Sequence, residues 1–243
     1  MKNLKYQSFV VLTFATVSDI IDTVKSRSVH LERDAIVEVA AVRVKYGEIV
    51  GHYHSFIAID GYDARNIEFD DLNLGSYNLT ETYLIGAPKF EDVIKDLHGF
   101  IDDSVLLVQS ASPYLNDPFK IFKEMAKECG CLFDNSAITL SDVYTAIKLR
   151  IALDDRGIRF EDMDGIKIAQ LLSGDEKESW TDIFADYDVL FNPFGEGGDR
   201  DRNDPLSWAL AFAKFFVKLI DEDEIIDNKA IDKIIDDDEW LPF

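Results

Sequence analysis

Basic residues are scarce in this 243-residue chain: 25 Lys and Arg stand against 47 Asp and Glu, a formal charge of −22. A field of that sign repels a polyanion and argues against extended, sequence-independent binding to nucleic acid. Cysteine is scarcer still. Cys129 and Cys131 flank Gly130, and a Cys-x-Cys alone lacks the second pair that a structural zinc site needs. The two read as free thiols at the end of a helix, and a reducing cytoplasm is the expected setting. No apolar run is long enough to span a bilayer, so no membrane association is expected. The apolar stretch 9–17 has only strand length and leads to Ser18-Asp19 without a small-residue cleavage pattern, so no secretory signal is expected. Of the four histidines, His30, His52, His54 and His98, only His52-x-His54 has ligand-like spacing. On a strand those two share a face, yet they read as ordinary strand residues.

What is abundant is apolar and aromatic. Hydrophobic residues make up 47% of the chain, with 17 Phe and 9 Tyr, enough for a packed core without cross-links. The run 9–17, rich in Val, Phe and Thr, suits a buried strand. Residues 35–45 and 49–58 predict a hairpin turning at Tyr46-Gly47. The polar stretches 18–33 and 60–80 read as loop and irregular structure. Phe90, Val93, Ile94, Leu97 and Phe100-Ile101 recur at helical spacing after Pro88. Residues 104–109 predict another strand, and Phe119, Phe122, Met125 and Ala126 a helix ending at Gly130. A helix with Ser141 as its N-cap follows, and a short one near Ile166–Leu171. Residues 173–203, with several glycines and acids, read as a long loop or insertion. Gly195-Glu196-Gly197-Gly198 lacks the lysine and the strand-to-helix setting of a phosphate loop. The last core helix is expected from about Pro205 to Ile220.

Several stretches, in order, carry a resemblance. Phe9-Val10-Val11-Leu12-Thr13-Phe14-Ala15-Thr16 is followed by Asp34-Ala35-Ile36-Val37-Glu38-Val39-Ala40-Ala41-Val42 and by His54-Ser55-Phe56-Ile57. Then come Gly86-Ala87-Pro88-Lys89-Phe90, Val105-Leu106-Leu107-Val108-Gln109-Ser110-Ala111-Ser112-Pro113-Tyr114, and Asp199-Arg200-Asp201-Arg202-Asn203-Asp204-Pro205. Together they resemble the DEDDh 3′-5′ exonuclease superfamily, which includes the proofreading epsilon subunit of bacterial polymerase III and RNase T. The resemblance implies an α/β protein of the ribonuclease-H-like exonuclease fold, with a mixed central sheet flanked by helices. It also implies a site. The superfamily opens with a strand carrying Asp-x-Glu, and here those positions hold Thr13 and Ala15. A further Asp position holds Tyr114, the general-base His position holds Asp199, and Asp204 alone keeps the matching carboxylate.

The chemistry of such a site needs those residue types. Two divalent ions activate water and stabilise the leaving oxygen, and they require several charged oxygens. Threonine is a neutral, weak ligand, and alanine offers none. Tyrosine stays protonated near neutral pH, and an ordinary aspartate is too acidic to serve as an efficient base there. Of the degenerate positions Thr13, Ala15, Tyr114, Asp199 and Asp204, the expectation is that Thr13, Ala15, Tyr114 and Asp204 converge in one cleft without a catalytic metal pair. Tyr114 and Phe14 are expected to fill part of that cleft. Asp204 is the one matching metal ligand. Asp19, Asp22 and Glu38 are the carboxylates that could rebuild the site, although Glu38 equally suits a structural role.

The partition expected is an exonuclease-like domain over 1–220 and an acidic extension over 221–243. That extension holds ten acids and two lysines, with Ile225, Ile226, Ile231, Ile234 and Ile235 able to form one helical face. It ends in Trp240-Leu241-Pro242-Phe243, which lacks the glutamine usual in clamp-binding termini. The leading functional reading is an inactive member of the superfamily, kept for binding or assembly and needing no cofactor. One alternative is an active 3′-5′ exonuclease on DNA or RNA with a rebuilt site using Mg or Mn. Another is an acidic mimic that occupies a nucleic-acid-binding partner. A protein partner or a second copy of the chain is expected ahead of duplex nucleic acid.

Overall fold

The computed structural model describes residues 7–17, 35–58, 84, 86–109, 118–157, 179–192 and 204–221. The first strand, β1 (Ser8–Val17), lies in the middle of a five-stranded sheet. β2 (Ala35–Lys45) pairs with it antiparallel, and β3 (Glu48–Phe56) pairs antiparallel with β2. On the other side, β4 (Val105–Val108) and β5 (Ala137–Thr139) run parallel to β1 and to each other. The order is β3-β2-β1-β4-β5, a mixed sheet of ribonuclease-H-like type. Tyr46 and Gly47 turn the β2–β3 hairpin, both with positive φ (58° and 75°), the backbone hand that matches strand twist in a two-residue hairpin.

Burial on both faces explains why β1 reads as an unbroken apolar run. Phe9, Val10, Val11 and Leu12 are all fully enclosed. Alternation divides them between two cores. Val10 and Leu12 face α1 (Phe90–Ile101) and α2 (Pro118–Glu128), packing with Ile94, Leu97 and Phe122. Phe9 and Val11 face α3 (Leu140–Asp155), α4 (Trp180–Asp186) and α5 (Pro205–Asp221). The result is a sheet sandwiched between helical layers.

Three sequence expectations are corrected. Residues 180–186, within the stretch read as loop or insertion, form α4. Its start is fixed by a capping box between Ser179 and Asp182, and it sends Phe184 into the core. A window dominated by glycines and acids around it hid this seven-residue helix. Ser141 is the second residue of α3 rather than its cap, because the hydroxyl of Thr139, at the end of β5, accepts from the Asp142 amide (3.1 Å). Phe14 does not fill the cleft. It points to the α1/α2 side and packs on Phe122 with ring centroids 5.1 Å apart, because strand alternation sends residue 14 opposite to 13 and 15. The helix read near 166–171 and the extension 222–243 lie outside the described residues. No helix among the described residues is long and apolar enough to cross a membrane.

Candidate functional site

Thr13 and Ala15 project from β1 towards α5. Thr13 stands opposite Ala40 and Ala15 opposite Glu38 in the β1–β2 ladder. Both are almost fully buried. The Thr13 hydroxyl donates to the Pro205 carbonyl at 2.6 Å, across 192 residues of chain. That bond seats the first turn of α5 on β1 and brings Asp204 to the same face of the sheet. Asp204 caps the helix: its Oδ2 accepts from the Ser207 amide (3.1 Å) and the Ser207 hydroxyl (2.6 Å). Tyr114, Asp199, Asp19 and Asp22 lie outside the described residues.

Glu38 is a glutamate with no exposed surface, and a buried carboxylate demands a partner. It has one in His54, whose Nε2 lies 2.6 Å from Glu38 Oε1 in a hydrogen bond, the imidazole being 27% exposed. The pairing follows from the ladder. Glu38 stands opposite Phe56 and Ala40 opposite His54, so Glu38 and His54 are diagonal neighbours on one face, within reach of long side chains. His54 also packs edge-on against Phe56 (5.2 Å). Asp204 completes a group: ligand atoms of Glu38, His54 and Asp204 all lie within 4.8 Å of one another.

The metal pair implied by the resemblance does not fit the described residues. Ala15 has no donor atom, and the Thr13 hydroxyl, itself neutral, is committed to Pro205. Two cations a few ångströms apart need charged oxygens between them, and β1 supplies none. The charged and nitrogen ligands on this face come from β2, β3 and the entry to α5. His54 was not singled out in the sequence as Glu38's partner. The signal was present only in part, as a buried-strand glutamate and a histidine on the next strand.

No protein-family model matches the chain. Two curated proteins are similar to a stretch of it. DNA polymerase III PolC-type of Halalkalibacterium halodurans is 34% identical over 88 residues, 35% of this chain. The PolC-type polymerase of Oceanobacillus iheyensis is 33% identical over 90 residues, 36% of this chain. The matched stretch is 6% of the length of either polymerase. Among solved structures, cell-death related nuclease 4 is similar in fold, with a TM-score of 0.55 at 12% identity, over 90% of this chain and 65% of that one.

Proposed function

We propose that this chain, which is related to the DEDDh 3′-5′ exonuclease superfamily, keeps that scaffold for binding or assembly without nuclease activity. The observation that carries the reading is the state of β1: Thr13 spends its hydroxyl on a backbone carbonyl, and Ala15 is enclosed where a carboxylate would be needed. Water activation by a metal pair has no ligands there. Purified protein with Mg²⁺ or Mn²⁺ is expected to leave single-stranded DNA and RNA at background length. Degradation that disappears in Asp204→Ala would reverse the reading.

One observation favours a second reading, a working 3′-5′ exonuclease with a rebuilt site: Glu38, His54 and Asp204 meet on the face where the superfamily keeps its metals. The same assay separates the two readings. Under the first, the partner is a protein or a second copy of the chain in a reducing cytoplasm, with the isoleucine seam of the 221–243 extension as the contact. Removing 221–243 sorts the possibilities. A dimer that becomes monomer identifies a subunit interface; a monomer that loses thermal stability identifies self-docking.

A further inference from the structure

We propose that Glu38, His54 and Asp204 form a site for a single divalent transition-metal cation, with Zn²⁺ as its best occupant. These are the residues that the rebuilt-site reading uses, but binding one cation here requires no nuclease activity and none of the β1 positions. The three side chains come from three separately anchored elements. Glu38 is locked in β2, flanked by paired strands on both sides. His54 is held across the hairpin. Asp204 is fixed by Ser207, which grips one carboxylate oxygen, the kind of outer contact that orients a metal ligand.

The spacing suits one cation. Metal bonds of about 2.1 Å keep ligand atoms on a shared ion about 3.0–4.2 Å apart. The present group spans 2.6 Å between His54 and Glu38 and lies within 4.8 Å overall, so shifts of roughly half an ångström bring it into range. His54 can supply most of that by rotation, since its ring is partly exposed. On binding, the cation replaces the proton held between Nε2 and Oε1, and that proton leaves to solvent. Charge favours the exchange, because two carboxylates a few ångströms apart in a chain of net −22 attract a cation. The donor set decides which cation. An imidazole with two carboxylates suits Zn²⁺, whereas Mg²⁺ and Ca²⁺ prefer oxygen alone. Three protein ligands leave a fourth position to water.

The test is titration of the full-length, metal-stripped protein with ZnCl₂ by calorimetry, with MnCl₂ and MgCl₂ as comparisons. One equivalent of Zn²⁺ is expected, with a rise in melting temperature. Asp204→Asn retains a side-chain oxygen to cap α5 and is expected to weaken binding at least about tenfold. His54→Gln is expected to do the same, and His52→Gln, one position along the same face, to leave binding unchanged. Circular dichroism checks that each variant folds, and Asp204→Asn carries the test if His54→Gln does not. Absence of stoichiometric Zn²⁺ binding overturns the proposal, as does binding that survives both substitutions. Two equivalents of Mn²⁺ that depend on Asp204 and not on His54 would also overturn it, and would count against the inactive-scaffold reading as well.

Discussion

At residue 13 a single hydroxyl links the start of the fold to its end. Thr13→Val keeps shape and volume but removes the hydroxyl that β1 donates to the buried Pro205 carbonyl. The expected loss is about 0.5–1.5 kcal/mol, measured by urea unfolding. An unchanged midpoint would mean that the bond contributes nothing. Asp142 offers a pH-dependent test. Burial is the main cause raising its carboxyl above the ordinary value of 3.8, and the Thr139 hydroxyl partly opposes it. Between 3.8 and the raised value the folded chain holds this proton more tightly than the unfolded chain. Stability from this group therefore rises as pH falls through that window and levels off below it. Asp142→Asn cannot titrate, so the stability difference between the two proteins is expected to move in favour of the natural chain on acidification. Parallel stability curves for the two across this range would refute it.

The elements show what was legible and what was not. β1, the hairpin turn at Tyr46-Gly47, and α1, α2 and α5 could be read because their apolar spacing is long and their punctuation by Gly and Pro is clear. α4 and the three-residue β5 could not, since neither is long enough to show a period. The Glu38–His54 pairing was hidden by one irregularity. The turn starts a register of Lys45 with Glu48 and Val44 with Ile49, and a shift then places Arg43 opposite Gly51. Continued without that shift, the register would set His54 opposite Val39, on the far face of the sheet. The extra residue at Val50 delivers the imidazole to the glutamate, and nothing in composition announces it. α5 packs on the central strand through large rings. Phe216 meets Phe9 edge-on at 4.8 Å and is almost wholly enclosed. Phe216→Ala is expected to cost about 3–5 kcal/mol, read from the denaturant midpoint. A loss below about 1 kcal/mol would mean that the neighbouring rings close the gap.

For the molecule as a whole, charge is the dominant property. At −22, binding to random duplex DNA at physiological salt is expected to be negligible, because few phosphates can be neutralised. Tight, salt-sensitive retention of labelled duplex would contradict this and return attention to nucleic acid. The contact between β1 and α5 has a consequence in time as well as space. One apolar face of the central strand is covered by a helix that begins at residue 205, so during synthesis β1 leaves the ribosome long before its cover exists. Contacts of such sequence separation form late, because a large loop must close first. Until then Phe9 and Val11 present a greasy surface to the cell. Arrest of translation before residue 205 is expected to leave that face of β1 without this cover and the chain prone to aggregation.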